Sequence, residues 1–521
     1  MIENSVHAIF RAAVARYPSR PFISVLPETA AAYQIAAGEL SYAEAAGPVD
    51  GLIARYRTAG YRHGHRVGLR LENRPAMLLH FFALNALGVS VVPINPDLRA
   101  AELDYLVRHS QIVLAVDATS GRSAIPHVTV IGPDDPPPPA RAAGETAPDE
   151  AALLYTSGTT GLPKGCVLSN VYFATCGRWY LGMGGHCTLH HGADRMLTPL
   201  PLFHMNALGA STMAMLMSGG CLIVLDRFHP ATWWDSVARA QATIVHYLGV
   251  MPAILMAGPP TEAERAHNVR FGFGAGVDRR LHAEAEARFG FPLIEGWAMT
   301  ETGCSVGITA NHHPRIVGQS CFGKPAPHVA LRIVADDGAD AAQGELLVRH
   351  AGPDPRAGFF SEYLKDPDAT AVAWAGGWFH TGDVVRRDTD GNMFFVDRKK
   401  NVIRRSGENI AAVEVEGVLQ RHRLVAVAAV APVPDDLRGE EVFACLVLAE
   451  PVADQSGAAQ EIVAWALTQL AYYKPPGYVA FVDAIPVTST NKIQRGVLRT
   501  DVAALLATGH CIDTRALKRR G

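Results

Sequence analysis

A short apolar segment that ends in a glycine- and hydroxyl-rich turn constrains this chain most. Residues 151–155 read Ala-Ala-Leu-Leu-Tyr, and residues 156–165 read Thr-Ser-Gly-Thr-Thr-Gly-Leu-Pro-Lys-Gly. The first part is typical of a buried strand. Glycines let the backbone that follows approach a polyanion closely, and successive N–H groups form a concavity that binds anions. The sequence therefore predicts a strand that leads into a phosphate-binding loop.

Hydroxyl and ammonium groups add further donors to this loop. They belong to Thr156, Ser157, Thr159, Thr160 and Lys164. The common loop of nucleoside triphosphatases has lysine directly after glycine and a hydroxyl residue directly after lysine. Here Pro163 precedes the lysine and Gly165 follows it, so the loop is of another kind. A plain surface loop is the alternative, which the buried-type strand just before the string disfavours.

Size, charge and cysteine spacing exclude several classes of protein. The 521 residues carry a net charge of −3, which gives no electrostatic basis for binding nucleic acid. No run approaches about 18 apolar residues, so no membrane-spanning helix is predicted. The N-terminal residues lack the unbroken apolar segment of a secretion signal. Because the eight cysteines have no paired Cys-x-x-Cys spacing, we expect a reduced, cytoplasmic enzyme.

Strand-like and helix-like segments alternate along most of the chain, which favours parallel sheets covered by helices. Residues 328–349 differ, because two short strand-like runs flank an Asp-Gly turn, as in a small barrel or meander. A charged run at 397–401 separates this part from a shorter α+β region. We therefore predict an α/β fold with an N-terminal domain of residues 1–397, a hinge of 398–402 and a mobile C-terminal domain of 403–521.

A second motif, Trp297–Glu301, follows an apolar strand-like segment. The ring of Trp297 can stack on a flat base at the strand exit. Thr300 and Glu301 supply a hydroxyl and a carboxylate that can reach a phosphate and its Mg²⁺, an ion that prefers hard oxygen ligands. The small residues of Phe273–Asp278 can approach a ligand closely. These residues predict a nucleotide site with Mg²⁺ on Glu301.

The ordered set of motifs resembles the signatures of the adenylate-forming superfamily, which includes acyl-CoA synthetases, adenylation domains of non-ribosomal peptide synthetases and beetle luciferase. The match runs from Arg16 to Ile493 and takes in Trp378–Asp383 and Pro486–Ile493. The resemblance implies a large N-terminal domain of parallel α/β sheets with a small distorted barrel. It also implies that the C-terminal domain is a mobile lid.

The resemblance implies that Asp383 and Arg398 bind the ribose, and that Lys492 bridges the substrate carboxylate and the α-phosphate. A carboxylate that attacks a phosphoryl group brings two anions together, so a cation must offset the developing charge. The chain departs from the family pattern at Trp297, which replaces tyrosine, and at Ala298 and Asn491, which replace glycine.

The resemblance implies one site with a nucleotide part, an acyl pocket and a set of catalytic residues. The residues expected to bind ATP or AMP are Thr156, Ser157, Gly158, Thr159, Thr160, Gly161, Lys164, Gly274, Ala275, Gly276, Trp297, Ala298, Thr300, Asp383 and Arg398. The catalytic residues are Lys492, Thr300, Glu301 and His204, the last as a gate between the adenylate and thiol-entry states. The acyl pocket is formed by His204, Asn206, Tyr247, Val250, Met251, Gly274, Ala298 and Cys304.

The region after the hinge resembles the CoA ligase version of the lid. The hinge residue is Asn401, where the family usually has aspartate or lysine. Gly407 would leave room for the thin pantetheine arm. The residues implied for CoA binding are Arg404, Arg405, Gly407 and Lys474.

These features together predict an acid–CoA ligase that uses a small carboxylic acid, ATP and CoA, with Mg²⁺ as cofactor. The motif details are most similar to the branch of crotonobetaine/carnitine–CoA ligase. One alternative is a stand-alone adenylation enzyme that loads an amino or aryl acid onto a carrier protein. Another is a non-catalytic nucleotide-binding regulator. Ala298 and Asn206 favour a short or polar acid, while the sequence leaves the acid itself and a homodimer open.

Overall fold

Four β-sheets and the helices that cover them make up the described part of this chain in a computed structural model. The structure describes residues 5–119, 122–156, 162–335, 337–398, 402–486, 493 and 495–518. The strands are β1 (Pro21–Val25), β2 (Gly38–Ser41), β3 (Arg66–Arg70), β4 (Ser90–Pro93), β5 (Leu114–Asp117), β6 (Thr129–Ile131), β7 (Glu150–Thr156), β8 (Lys164–Ser169), β9 (Arg195–Thr198), β10 (Cys221–Val224), β11 (Ile244–His246), β12 (Phe271–Gly274), β13 (Leu293–Met299), β14 (Gly303–Thr309), β15 (Cys321–Gly323), β16 (Val329–Val334), β17 (Gln343–His350), β18 (Glu362–Tyr363), β19 (Phe379–Arg387), β20 (Met393–Arg398), β21 (Val402–Arg405), β22 (Glu408–Ala411), β23 (Val425–Asp435), β24 (Gly439–Leu448), β25 (Tyr478–Phe481) and β26 (Ile512–Asp513).

The helices lie between these strands along the chain. They are α1 (Val6–Arg16), α2 (Pro27–Tyr33), α3 (Tyr42–Thr58), α4 (Pro75–Asn85), α5 (Ala100–Ser110), α6 (Asn170–Gly182), α7 (Thr212–Ser218), α8 (Trp233–Arg239), α9 (Val250–Ala257), α10 (His282–Phe289), α11 (Pro367–Ala373), α12 (Ala412–Leu419), α13 (Gln455–Gln469) and α14 (Arg495–Ala507). Their starts follow local chemistry: Ser41 and Glu44 form a reciprocal capping box at α3. Helix α8 begins only at Trp233, because Pro230–Thr232 forms a 3₁₀ turn before it.

Two sheets are mostly parallel and account for the predicted α/β class. The first has the order β14-β13-β12-β11-β9-β10-β1-β2, and the second has the order β18-β8-β7-β4-β3-β5-β6. Antiparallel pairs occur only towards the sheet edges, at β1–β2, β13–β14, β7–β8 and β8–β18. Strands such as β3, β4 and β10 are buried along their whole length, as expected where helices cover both faces.

A third sheet is antiparallel and matches the region where the sequence predicted a small barrel or meander. Its order is β15-β20-β19-β17-β16. Buried and partly exposed residues alternate along β19, which is typical of a strand with one face on the core. The buried face of β19 includes Asp383, so this sheet delivers a carboxylate to the interior.

The last sheet belongs to the C-terminal domain, by which we mean residues 402–518. Its order is β22-β21-β24-β25-β26, with β23 paired to β24. Two apolar clusters, around Ile462 and around Phe443, consist only of residues from this domain. The domain therefore has its own core, as expected of a lid. The hinge residue Asn401 lies outside the described residues, so the domain boundary stays a prediction.

None of the helices in the described part of the chain combines the length and the apolar character needed to span a bilayer.

Candidate active site

A large cavity lies where the N-terminal domain meets the C-terminal domain. Its volume is about 1040 Å³. The N-terminal wall comes from the ends of β7, β12 and β13 and from the segment 200–206. The C-terminal wall comes from Arg404, Gly407, Glu408, Pro434, Asp435, Asp436, Arg438, Gly439, Glu440, Tyr473 and Lys474. Most of the residues singled out from the sequence line this cavity, so the fold brings together motifs that are far apart along the chain.

The ends of the phosphate loop lie at the cavity. Thr156 closes β7 and Lys164 opens β8, and the two residues are cross-strand partners. The Lys164 Nζ atom lies 4.7 Å from the centre of the Tyr363 ring and 3.7 Å from Asp366 Oδ2. The positions between them, Ser157, Gly158, Thr159, Thr160 and Gly161, lie outside the described residues. Their phosphate-binding role stays a prediction.

Glu301 is fixed beside the phosphate loop by hydroxyl groups. The Tyr363 hydroxyl donates to Glu301 Oε1 at 3.0 Å, and the Thr156 hydroxyl donates to the same oxygen at 3.5 Å. The Tyr172 hydroxyl donates to the Thr300 carbonyl at 2.9 Å and holds the adjacent turn. Burial and the neighbouring Glu301 charge raise the pKa of Tyr363, so it stays protonated as a donor. Sequence reasoning missed Tyr363, because it comes from β18, far along the chain.

Trp297 and Asp383 are joined by a hydrogen bond that the sequence motifs do not reveal. Trp297 lines the cavity from β13, and its Nε1–H donates to Asp383 Oδ2 at 2.8 Å. Asp383 is buried, with 1% of its surface exposed. Its cross-strand partner on β20 is Arg398, whose side chain lies outside the described part. A tyrosine at position 297 has no equivalent in-plane N–H, so this contact depends on the departure from the family pattern.

The glycine segment 274–276 lies against β11 and is anchored from β13. A Cβ at Gly274 would overlap the Tyr247 carbonyl oxygen, so only glycine fits there. Glu295 Oε1 accepts from the N–H groups of Gly276 and Val277, each at 2.9 Å. Burial raises the pKa of Glu295 above its ordinary value. Glu295 is a fixed support for the segment, and no motif in the sequence indicates this role.

Most of the residues predicted to form the acyl pocket lie on the cavity wall, and their role as an acyl pocket stays a prediction. The predicted residues that line the cavity are His204, Asn206, Tyr247, Val250, Gly274, Ala298 and Cys304. Met251 is an exception, because it is buried in a separate apolar cluster and does not line the cavity. Trp179 is a wall residue that the sequence did not single out, because it comes from α6, which carries no recognised motif. Phe273 also lines the wall; it opens the segment Phe273–Asp278 but was not among the residues predicted for the pocket.

The C-terminal domain presents the loop around Gly407 to the cavity. Gly407 has φ +86°, and a Cβ there would overlap Leu248 Cδ1 on the opposite wall. The next residue, Glu408, lies with Oε2 3.5 Å from His204 Nε2. Burial penalises the charge of Glu408, but the His204 contact holds its pKa below the ordinary value. The loop therefore closes directly on the wall that carries the predicted gate.

The four residues predicted to bind CoA separate into two groups. Arg404, Gly407 and Lys474 line the cavity. Arg405 does not, because it is 1% exposed and its Nε donates to both oxygens of Glu441, at 2.9 and 2.8 Å. This placement corrects the prediction for Arg405 in the observed arrangement, since a buried guanidinium needs its carboxylate partner.

Lys474 also has protein partners, and they come from both domains. Its Nζ lies 2.7 Å from Glu102 Oε1 and 2.7 Å from Glu414 Oε1. Burial alone would lower the pKa of Lys474, but the two carboxylates outweigh it and raise that pKa. Lys492 lies outside the described residues, while its neighbour Ile493 packs on the core of the C-terminal domain.

Family profiles match both parts of the chain. The profile described as AMP-binding enzyme matches residues 10–360, and the profile of the AMP-binding enzyme C-terminal domain matches residues 414–492. The chain belongs to the AMP-binding enzyme family. This identification confirms the resemblance to the adenylate-forming superfamily and its large and small domains.

Curated relatives of this AMP-binding enzyme are acid–CoA ligases. The chain is 30% identical to the sulfoacetate–CoA ligase of Cupriavidus necator, over 94% of this chain and 97% of the relative. It is 28% identical to the crotonobetaine/carnitine–CoA ligase of Salmonella arizonae, over 89% and 95%. It is 30% identical to the indoleacetate–CoA ligase of Aromatoleum aromaticum, over 89% and 94%.

Solved structures of the same fold support this picture. A malonyl-CoA ligase in a ternary product complex with methylmalonyl-CoA and AMP matches with a TM-score of 0.73 and 29% identity, over 91% of this chain and 99% of that chain. The o-succinylbenzoate CoA synthetase of Bacillus subtilis, 24% identical over 94% and 97%, matches with a TM-score of 0.78 as a double mutant with a product analogue. The same synthetase in complex with its acyl-adenylate intermediate matches with 0.62.

The enzyme class predicted from the sequence is confirmed by these relatives. This AMP-binding enzyme is an acid–thiol ligase, for which ATP and CoA are fitting substrates. A carboxylic acid and ATP give acyl-AMP and pyrophosphate, and the thiol of CoA then gives acyl-CoA and AMP.

Proposed function

We propose that the described cavity serves both half-reactions and that the observed lid arrangement is the one for thioester formation. The observation that carries this proposal is the position of Arg404, Gly407 and Glu408. All three line the cavity, and Gly407 and Glu408 contact the opposite wall at Leu248 and His204.

The nucleotide end of the cavity would hold the adenylate. The ring of Trp297 would lie against the adenine, while its N–H fixes the Asp383 carboxylate. A carboxylate offers about four lone-pair sites, so Asp383 can accept from ribose hydroxyls as well as from Trp297. Thr156 and Lys164 at the loop ends would contact the phosphates. This division of roles follows the geometry of β7, β13 and β19.

The charge that develops during adenylation requires a mobile cation. Two anions, the carboxylate and the phosphoryl group, must approach each other. Lys492, predicted from the sequence, would supply that cation when its segment reaches the cavity. Lys164 on the opposite wall would neutralise the pyrophosphate that leaves.

Glu301 is a fitting Mg²⁺ ligand. Its carboxylate lies beside the Thr156 hydroxyl, which gives a set of hard oxygen donors. No cluster of three or more His, Cys, Asp or Glu ligands occurs among the residues that the structure describes. Mg²⁺ is commonly held by one or two carboxylates together with substrate phosphates, so a single carboxylate fits. When bound, the ion would neutralise phosphate charge.

Thioester formation would use the face of the lid seen here. Because Gly407 has no side chain, its backbone can lie directly on Leu248 and still leave a thin passage beside it. Arg404, on the cavity wall, is the remaining cation from the predicted CoA set that faces the opening. We therefore assign the pantetheine passage to Gly407 and CoA phosphate contacts to Arg404.

Lys474 would act as a latch rather than as a CoA ligand. It connects Glu102 on α5 with Glu414 on α12, so one ammonium joins the two domains. Neighbouring contacts support the same orientation: Arg99 Nε donates to the Leu470 carbonyl at 3.2 Å. We propose that this group of contacts holds the lid in the thioester-forming arrangement.

The shape comparison supports this assignment of the lid. The B. subtilis synthetase matches with a TM-score of 0.78 when it holds a product analogue and 0.62 when it holds the acyl-adenylate. The ternary product complex of malonyl-CoA ligase also matches at 0.73. Since the two synthetase complexes share a fold, we attribute the difference to how their domains are arranged.

The proposal extends to the cellular compartment of the enzyme and to the class of its acid substrate. All eight cysteines are free thiols, seven of them buried, which agrees with a reducing compartment such as the cytoplasm. Asn206 on the pocket wall supports a short or polar acid.

Pyrophosphate exchange and AMP release test the proposed function. We expect carboxylate-dependent exchange of pyrophosphate into ATP without CoA, and stoichiometric AMP and thioester once free CoA is added. Exchange that free CoA cannot convert into AMP release would indicate a carrier-loading enzyme. Complete absence of exchange with any acid would indicate the non-catalytic regulator.

A further inference from the structure

The inner end of the cavity is lined almost entirely by apolar groups. It is enclosed by α6, by a π-helical turn over Asn206–Ser211, and by β11 to β14. The wall residues on these elements include Trp179, Ala210, Phe273, Gly296 and Cys304. The indole N–H of Trp179 already donates to the Gly307 carbonyl, so it offers the cavity no donor. Asn206 is the wall residue here whose polar side chain opens on the cavity.

A buried network behind the wall fixes the Asn206 amide. Asn206 Oδ1 lies 2.9 Å from His246 Nδ1. The other ring nitrogen, Nε2, lies 2.9 Å from the Tyr180 hydroxyl. Ser211 Oγ lies 3.0 Å from Nδ1. His246, Tyr180 and Ser211 are all fully buried, so no solvent takes part in this network.

The network has one arrangement in which every group is satisfied. The Ser211 hydroxyl donates to the Asn206 backbone carbonyl at 3.1 Å, so its proton is not available to His246. Nδ1 must then carry the ring proton and donate to Asn206 Oδ1. The Tyr180 hydroxyl can donate to Nε2, which would otherwise be an unpaired buried acceptor. Burial lowers the pKa of His246 to about 3, so the ring stays neutral.

This arrangement decides which way the Asn206 amide points. With Oδ1 turned to His246, the two N–H groups on Nδ2 remain for the cavity. No acceptor for them occurs among the described residues. A π-helical turn begins at this residue, and such turns are frequent at functional sites.

The inner end is also electrically neutral. The charged side chains that line the cavity near the phosphate loop or on the lid include Lys164, Glu301, Arg404 and Lys474. Asp278 and Arg280, which follow β12, also line the cavity, and they pair with each other at 2.7 Å. No Lys, Arg, Asp or Glu of the described part lines the cavity from α6, the π-helical turn or β11 to β12. A second anion on the acid would therefore be buried without a counter-charge, which is strongly unfavourable.

Building on the proposed function, we infer that Asn206 Nδ2–H donates to an uncharged oxygen on the acyl chain. The substrate class is then a singly charged carboxylic acid whose chain carries a keto, ether or amide oxygen. Dicarboxylates and sulfonated acids are excluded from this class. Asn206 is the specificity-determining residue, and His246 positions it.

Matched pairs of acids test this inference. The pairs are 4-oxopentanoate with 4-methyl-4-pentenoate, 3-phenoxypropanoate with 4-phenylbutanoate, and 4-acetylbenzoate with 4-isopropenylbenzoate. Malonate and sulfoacetate serve as doubly charged comparators. In the best-accepted pair, kcat/KM for pyrophosphate release should favour the oxygen-bearing acid about tenfold, the value of one well-placed hydrogen bond. The charged comparators should be at least as poor as the apolar acids.

Substitution of Asn206 then separates the donor from pocket shape. In Asn206→Ala and in the bulkier Asn206→Leu, the ratio of kcat/KM within that pair should fall to about one. Cys304→Ala is the matched control, because it removes side-chain volume from the same wall without removing the amide donor. The ratio of kcat/KM within the pair should stay near tenfold in this variant. Thermal unfolding of each variant reports whether it is folded.

The outcomes distinguish this inference from the proposed function. Equal rates within every pair, an unchanged ratio in both Asn206 variants, or a preference for malonate or sulfoacetate would overturn the role of Asn206 while the ligase function stands. Loss of the ratio in Cys304→Ala as well would also overturn it. No pyrophosphate release with any acid would count against both.

Discussion

The C-terminal domain has two regions that differ in chemistry, and among the described residues one of them lines the cavity. Arg404, Gly407, Glu408 and Lys474 belong to the region on the cavity wall. In the other region, Ile485 and Ile493 pack on the domain's own core. The two regions, which we call faces, carry different chemistry, since one offers a bare backbone at Gly407 and the other precedes Lys492. The difference supports the proposal that one small domain serves both half-reactions by turning.

The contacts that hold the observed face are mostly polar. Lys474 pairs with two carboxylates, and Asn95 Nδ2 donates to the Tyr473 hydroxyl at 3.2 Å. Polar contacts of this kind resemble those of interfaces that open and close, which are more polar than permanent ones. A lid that must turn at each cycle needs such a contact, because a large apolar interface would hold one orientation.

Of the three substitutions, the loss of Lys492 should have the largest effect on the difference between the two half-reactions. We expect Lys492→Ala to lower acyl-AMP formation by about 10²–10³-fold, the usual effect of removing one group that stabilises developing charge. Thioester formation from supplied acyl-AMP should stay within about twofold of the unsubstituted enzyme. Single-turnover assays of each half-reaction measure this, with Lys324→Ala at an exposed site as control. Equal losses in both half-reactions would refute a separate role for the Lys492 face.

A side chain at Gly407 should produce the opposite pattern. Gly407→Val would force the loop away from Leu248, so thioester formation should fall by more than about tenfold while adenylation is retained. Gly391→Val is a matched control, because Gly391 has the same φ of +86° but open space around its Cβ position. This control separates backbone strain from the clash. If Gly407→Val slows adenylation as much as thioester formation, the assignment of this face is wrong.

Weakening the contact between Lys474 and Glu102 should have the smallest effect of the three. It tests whether this contact alone shifts the balance between the two half-reactions. We expect Glu102→Gln to slow thioester formation by about threefold to tenfold, because the buried Lys474 loses one of its two carboxylates. Adenylation should be unchanged or faster, since the lid leaves this arrangement more easily. A double-mutant cycle with Lys474→Met measures the coupling between the two residues. Additive effects would contradict a direct latch.

The sequence predicted the motif-bearing wall well, because each motif there is a continuous string. Trp297–Glu301, Thr156 and Lys164 line the expected cavity, and the parallel sheets follow from alternating segments. Arg405 was assigned to CoA because charge alone does not reveal burial. Its partner Glu441 is 36 residues away, so only the fold brings the pair together.

The contacts that support the site residues could not be predicted from the sequence, for a related reason. Tyr363 reaches Glu301 across 62 positions, and His246 reaches Asn206 across 40. Each of these residues lies outside any recognised string. Trp297 did offer a clue to its partner, because the indole ring carries an N–H donor, whereas tyrosine carries its hydroxyl donor at a different position. Because this donor needs an acceptor close to the ring, Asp383 could have been predicted as its partner.

The most direct test of the two-faced lid is a crystal structure with an acyl-adenosine sulfamate, a stable mimic of acyl-AMP, in the absence of CoA. We predict that the purine lies on Trp297, that the ribose hydroxyls contact Asp383, and that Lys492 has replaced residues 404–408 at the cavity. A bound mimic with Lys492 remote and Gly407 still against Leu248 would contradict the account.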